Sequence, residues 1–382
     1  TVGCELLGRL TGSCLSARLV TSPWCGIVST TLSCMELNGC IDQAKHGLTG
    51  TQLSSTHPTH PLPSEEDIVT CLRLLRSRRV GPATYRRMIR EHGSASAALA
   101  ALPDVAASAG VTDYQICPTG VVMAELKTAR SNNARLLVQG TPYFPAALDD
   151  LDDAPPLLWS IGDTSLLARP VIAMVGARNA SSLGTRMAKK LAADLGDAGY
   201  VIVSGLARGV YTAAHLASLT TGTIPVQAGG LDVIYPTENT ALTQDIAKSG
   251  LRLSEMAMGM QPQARHFPAR NRIISGLSMG VVVIEEAAKS CSLITARNAL
   301  DQSRDVLAVP GHPFDGRTAG CNILIRDGAT LVSSADDVIE ALGHIHPPQF
   351  PELALPTPAP KQNLRQTADL HSKILQRLGP SP

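Results

Sequence analysis

Arg265, Arg270 and Arg272 stand within eight residues, with His266 and Phe267 between them, and run directly into an apolar stretch ending at Ile284. From Met256 to Ile284 there is no acidic residue, so these cations have no partner close by in the chain. Guanidinium groups hold phosphates and an aromatic ring stacks on a base, with each stacked base contributing about 1–3 kcal/mol. That combination suits single-stranded nucleic acid. The competing reading is structural: Arg270 or Arg272, at the start of a buried helix where Asn271 is also tied down, bridges loops to Glu255 or Glu285. A second pair of cations occurs upstream. Arg178 follows the apolar run "VIAMVG", and Arg208 follows "YVIVSG", at matching places. Gly205 and Gly209 beside Arg208 let backbone approach a ligand closely; pairing of each arginine with a nearby carboxylate is the alternative. In "KSCSLITARNAL", Lys289, Ser290, Ser292 and Thr295 cluster near a helix start. Free N–H groups there favour a phosphate, although the hydroxyls serve equally as routine caps.

Catalytic equipment is missing from the same loops. The first reads "GARNASSLG" rather than GxGxxG, and the second apolar run ends at Val203-Ser204 without an acidic residue for a ribose, which speaks against a nicotinamide dehydrogenase. No Walker A motif is present. No Ser/His/Asp order or Cys/His pair stands out, and His215, within a helical pattern, reads as packing. Glu285 and Glu286 adjoin at a strand end, where side chains point to opposite faces, so they do not form an acid/base pair. Of nine cysteines, five lie in the first forty residues and none forms a CxxC pair, which argues against a zinc site. Scattered cysteines suit a reducing cytoplasm. What remains is an anion-binding mouth with no cofactor.

The elements that must position these residues are legible in the pattern. The chain has 382 residues, 44% hydrophobic and 17% charged, with a net charge of +1, so any basic surface is local. From about residue 130, apolar strands alternate with amphipathic helices: "VIAMVG", "TRMAKKLAADLGDAG", "YVIVSG", "YTAAHLASLTTG", "TIPVQAGG", "GLRLSE", "MGVVVIE", "LITARNALDQS", "DVLAVPG". This predicts an α/β, Rossmann-like, mostly parallel sheet with helices on both faces, and in such sheets ligands bind beyond the strands' carboxyl ends. Ahead of it, Ser64 reads as an N-cap with Glu65 and Glu66 in the first turn, and Val80-Gly81-Pro82 as a turn between two helices, together a small all-α helix-hairpin-helix module. The expected domains are a disordered leader at 1–62, a helical domain at 63–128, a Rossmann-like domain at 129–343, a Pro-rich linker at 344–364, and the start of a further helical domain at 365–382. No run approaches the ~20 apolar residues of a membrane span.

The motifs "VGARNASSLG", "VSGLARGVYTAAH", "GGLDVIYPTEN", "FPARNRIISGLS", "VVVIEEAAKSCSLITA" and "AVPGHP…GCNILIRDGA" stand in the order and spacing of the DNA processing protein A (DprA/Smf) family, which this chain resembles from about Tyr143 to Leu342. The segment 64–110 resembles that family's SAM-like N-terminal domain, and the tail "HSKILQRLGPSP" resembles the first helix of its winged-helix domain. The resemblance implies an extended Rossmann fold and a cytoplasmic, homodimeric, non-enzymatic protein. It implies binding of single-stranded DNA and loading of the recombinase RecA on it in natural transformation. It carries the DNA pocket onto Arg178, Gly205, Arg208, residues 264–272 and residues 289–295, with Phe267 as the stacking ring. Three departures bear on the pocket: Tyr211 stands where the family usually has Asp, Cys291 where it has Gly, and Ala264 where some members carry a basic residue. Two other functions remain to be weighed. One is a nucleoside-monophosphate phosphoribohydrolase, whose PGGxGTxxE motif is absent here; the other is a dimeric docking platform for protein partners.

Overall fold

In the computed structural model the chain divides into two units, residues 1–56 and 57–382. The structure describes residues 64–343, except 150, 289 and 291, together with Lys373, all in the second unit. The expected leader, the linker and, Lys373 apart, the C-terminal tail lie outside the described residues, as do Lys289 and Cys291.

The first four elements are helices: α1 (Glu65–Arg76), α2 (Pro82–His92), α3 (Ala95–Ser108) and α4 (Thr119–Ser131). Ser64 caps α1 in a closed box. Its Oγ accepts from the Asp67 N–H, and the Asp67 carboxylate accepts from the Ser64 N–H. Pro82 opens α2, where its missing N–H costs nothing. Leu74, Val80, Met88, Leu99 and Leu102 form the core of this module. Glu125 of α4 fastens it to the strands. That buried carboxylate accepts two bonds from Arg76, at 2.9 and 3.0 Å, and one from Trp159 Nε1 at 2.9 Å.

The remaining elements are β1 (Arg135–Val138), α5 (Ala146–Asp149), β2 (Leu157–Gly162), β3 (Val171–Gly176), α6 (Ser182–Asp197), β4 (Val201–Ser204), α7 (Val210–Ala217), β5 (Thr223–Pro225), α8 (Thr240–Ser249), β6 (Leu251–Ser254), α9 (His266–Leu277), β7 (Gly280–Ile284), α10 (Ser292–Asp301), β8 (Asp305–Ala308), α11 (Ala319–Arg326), β9 (Thr330–Leu331) and α12 (Ala335–Leu342). Among the described residues, six strands form a parallel sheet in the order β5-β4-β3-β7-β8-β9. Strand side chains alternate between its two faces. Ala173, Val175, Val203, Val281 and Val283 pack on Ile273 and Ile274 of α9 and Ala296 of α10. Ile172, Met174, Ile202, Val282 and Leu307 pack on Leu191 and Leu195 of α6 and Val338 of α12. Both faces are covered, as the apolar strands predict.

"GLRLSE" departs from the simple alternation. It forms β6, which pairs antiparallel with β2 in a three-stranded sheet, β1-β2-β6, and meets the parallel sheet at a single bridge, Val226–Leu253. The reason lies in Pro225. The N–H of Val226 points to Ser204 of β4, so at Pro225 an N–H would face the outer edge, and proline has none. The edge cannot carry a regular ladder there.

Candidate functional site

Because the large sheet is parallel, its carboxyl ends share one edge. β4 and β5 lie to one side of β3, and β7, β8 and β9 to the other, so chain direction switches in the crevice between β3 and β7. Two cavities open at this edge. One, of about 40 Å³, is lined by Arg178, Gly205, Arg208, Gly229, Tyr235 and Phe267. The other, of about 450 Å³ at the switch point, is lined by residues that include Asn179, Tyr211, Asn271, Glu286, Ser290 and Arg317. Arg178, Ala207, Phe267 and Arg270 border both.

Phe267 is the centre of this wall. The Arg178 guanidinium lies 5.2 Å from its ring centroid, that of Arg270 5.8 Å, and the Tyr235 ring 5.7 Å at a tilt of 54°. The two cations differ in kind. Arg178 is exposed and, among the described residues, makes no ion pair. Arg270 is buried and serves the fold. It donates from one terminal nitrogen to the carbonyls of Gly205 (2.6 Å) and Val226, and from Nε to Asn271 Oδ1 (3.2 Å). Desolvation lowers its pKa to about 10, which leaves it charged at neutral pH. The Gly205 position follows from the same contact: a Cβ there would sit 2.7–2.8 Å from the Arg270 guanidinium. At Gly209, φ is +74° and a Cβ would approach the Ala177 and Arg178 carbonyls to 2.3 and 2.5 Å, so glycine alone lets the turn into α7 pass under the Arg178 loop.

The structure brings together Arg178, Gly205, Arg208, Phe267, Arg270, Asn271, Ser290 and Ser292, with Gly209 in the supporting turn. Arg208 has a loose, exposed partner, Glu238, at 3.8 Å. Arg265 is not part of the ring. It lines a separate groove with Arg79, Pro82 and Asp152, because Phe267, Arg270 and Asn271 share one face of α9 while 265, 269 and 272 share another. Arg272 is not unpartnered: it grips Glu255 through two bonds of 2.7 Å and donates to the Asp153 carbonyl. Burial raises the Glu255 pKa, and Arg272 opposes that rise. The structural reading thus holds for Arg272 through a carboxylate and for Arg270 through carbonyls. Glu285 is taken by the Ser181 N–H (2.8 Å) and Arg317 (3.6 Å). Thr295 is fully buried in α10 and borders neither cavity.

Some site residues escaped the sequence reading. Tyr211, noted only as a departure, is buried at the larger cavity with its hydroxyl 2.6 Å from Ser292 Oγ, which in turn donates to the Gly176 carbonyl. Glu286, read from the sequence only as not pairing with Glu285 for acid/base work, borders the larger cavity; it is 2% exposed, burial raises its pKa, and its Oε2 has no partner among the described residues. Arg317 follows β8, and reading the loop after that strand as closely as the earlier ones would have found it.

His215 is a packing residue, as its lone position on a helix suggested. Its Nε2 accepts from the Leu206 N–H (3.4 Å), so Nδ1 carries the proton toward Thr223 Oγ1 (2.7 Å). The pair holds Leu206 at φ +52°, in the loop that ends in Arg208. Burial lowers the His215 pKa from 6.5 to about 3. The unfolded chain therefore binds a proton below pH 6.5 that the folded chain refuses, and stability falls as pH drops from 6.5 toward 3. His215→Gln is expected to flatten that acid slope by up to about 1.4 kcal/mol per pH unit; a slope unchanged in urea titrations across this window would refute the assignment.

Residues 135–343 match the family described as DNA recombination-mediator protein A, and residues 65–128 match the DprA-like N-terminal HHH domain. The chain belongs to the DNA recombination-mediator protein A family. DNA processing protein DprA of Streptococcus pneumoniae is 47% identical over 198 residues, 51% of this chain and 70% of that protein. Its counterpart in Bacillus subtilis is 45% identical over 220 residues, 57% of this chain and 74% of that one. The X-ray structure of the S. pneumoniae protein superposes with a TM-score of 0.61 and 35% identity, covering 73% of this chain and 98% of that one. A structure of Helicobacter pylori DNA processing protein A, which concerns that protein's single-stranded DNA binding mode, superposes at 0.51 with 34% identity, covering 55% of this chain and 95% of that one. The extended Rossmann-like sheet and the helical N-terminal module are thus those of the DprA family. Among the described residues no helix is long and apolar enough to cross a membrane, and no cluster of His, Cys, Asp or Glu is arranged to hold a metal ion.

Proposed function

We propose that the carboxyl edge of the parallel sheet binds single-stranded DNA without turning it over, and that the protein loads the recombinase RecA on the bound strand as a cytoplasmic homodimer. The observation that carries the binding role is the juxtaposition of Arg178, an exposed cation with no ion pair among the described residues, with the half-buried ring of Phe267. A single strand offers both a phosphate and an unstacked base face to such a pair, whereas a duplex hides its base faces. Family membership and the single-strand binding mode of the H. pylori relative support this reading. The interface residues would be Arg178, Gly205, Arg208, Gly209, Phe267, Arg270, Asn271, Ser290 and Ser292, with Lys289 in the same loop. The working boundaries are a helical module at 63–128 and the sheet domain at 129–343.

The test is a titration of single- and double-stranded oligonucleotides of equal length at two salt concentrations. The expected result is tighter single-strand binding that weakens with salt, with log affinity falling by about 0.7 per tenfold rise in salt for each phosphate neutralised. Equal affinity for both forms would defeat the proposal. Release of free base from nucleoside monophosphates would replace it with the phosphoribohydrolase reading.

A further inference from the structure

Phe314 is 95% exposed, the most exposed large apolar side chain among the described residues. Its loop is nevertheless tightly built. Asn322 clamps the base, accepting from the Gly311 N–H (3.1 Å) and donating to the Gly311 carbonyl (3.0 Å). Thr318 Oγ1 donates to the His312 carbonyl (3.1 Å), and the Asp315 N–H donates to the same oxygen (2.9 Å). At the far end the Gly320 N–H donates to the Glu286 carbonyl (2.7 Å), which moors the loop to the segment leaving β7. The His312 ring, 5.6 Å away and tilted by 39°, backs one side of the phenyl group. With the backbone beneath it fixed, only the two side-chain torsions of Phe314 remain to be ordered when a flat partner covers the ring.

The loop follows β8, so it stands on the same carboxyl edge as the two cavities. The edge is continuous: the smaller cavity shares Arg178 and Phe267 with the larger, the larger reaches Arg317, and Arg317 is three residues from Phe314. The guanidinium of Arg317 is already engaged. Its Nε and one terminal nitrogen bond both oxygens of Asp315, at 3.1 and 2.9 Å, and it lies 3.6 Å from Glu285. This end of the edge therefore presents an aromatic face whose neighbouring cation is neutralised.

We propose that Phe314 is a second base-stacking platform, reached by a single strand that runs from the Arg178–Phe267 mouth across the switch-point cavity to the loop after β8. This rests on the single-strand reading of the mouth and adds its direction and extent. Because the added contact is stacking without charge, it has a signature distinct from that of the mouth: affinity changes while salt dependence does not.

The experiment compares the unaltered protein, Phe314→Ala and Phe314→Trp in titrations of oligothymidylates of about four and about twenty nucleotides, lengths bracketing the site of one binding module. Phe314→Ala is expected to weaken the long strand by about fivefold or more, to leave the short strand unchanged, and to leave the slope of log affinity against log salt unchanged. Phe314→Trp is expected to bind the long strand at least as tightly as the unaltered protein. The ring has almost no contacts to lose, so thermal stability should be the same in all three. Long-strand affinity indifferent to Phe314→Ala would overturn this inference and leave the mouth standing, as would a reduced salt slope. Failure of the unaltered protein to bind either oligonucleotide would instead remove the single-strand reading itself.

Discussion

Arg178→Ala is expected to weaken single-strand binding by roughly tenfold to a hundredfold, the range for deleting a charge that meets its partner in a partly desolvated site. Two terms add. The guanidinium is exposed and makes no ion pair among the described residues, so it is available to a phosphate, and it also borders both cavities. It faces the Phe267 ring at 5.2 Å, so its loss also removes a cation from one side of the stacking surface. The loss should be uniform across base sequences, because a phosphate contact carries no base information. The slope of log affinity against log salt should shrink by about 0.7, the share of one phosphate on a single strand. Stability should fall by no more than about 0.5–1 kcal/mol, the value of the exposed contact with the Phe267 ring, since an exposed side chain without an ion pair leaves nothing buried unsatisfied. Titrations at several salt concentrations, together with a melting curve, read all of this. An unchanged salt slope would show that Arg178 does not touch a phosphate.

Arg270→Met is expected to act on the fold, lowering stability by about 2–6 kcal/mol, the cost of leaving two buried carbonyls without a donor. Arg270 is 4% exposed and satisfies the Gly205 and Val226 carbonyls, at the ends of β4 and β5. Methionine fills much of the volume and donates nothing, so both carbonyls lose a buried partner, at about 1–3 kcal/mol each. Lysine would restore a charge but not the planar fork, so Arg270→Lys should recover only part of the loss. At about 2–4 °C per kcal/mol for a domain of this size, the methionine variant should melt roughly 10 °C lower. The same substitution should loosen the Arg208 loop, so DNA affinity should fall as well, and by more than the fully folded fraction accounts for. A melting temperature within about 2 °C of the unaltered protein would show that the guanidinium is dispensable to the sheet edge.

These two arginines show where reading the chain succeeds and where it stops. Arg178 was legible because its meaning is local. An arginine placed just after an apolar strand of a parallel sheet must lie at the carboxyl edge, whatever the remaining chain does. The sheet itself was legible for a related reason, since "VIAMVG", "YVIVSG" and "MGVVVIE" are too uniformly apolar to face water on either side. His215 and the Ser64 cap were readable on the same terms, although the partner that closes the cap is Asp67.

Arg265, Arg270 and Arg272 form a single run of charge in the sequence, and only the tertiary structure separates them. Helix α9 rotates about 100° per residue. Arg265 and Arg272 consequently face the groove beside the helical module, and Arg270 turns inward beneath Phe267. Whether a guanidinium is free depends on groups far away in sequence: Glu255 and the Asp153 carbonyl for Arg272, and the Gly205 and Val226 carbonyls for Arg270. No local pattern carries that information. The same holds for Tyr211, which meets Ser292 across 81 positions, and for Phe314, whose exposure is a property of the folded loop around it. The residue types and their periodicity were sufficient to place a basic mouth at a parallel sheet's edge. Which cations stay available there was decided by long-range hydrogen bonds, because burial and pairing are properties of contacts that exist only once the chain has folded.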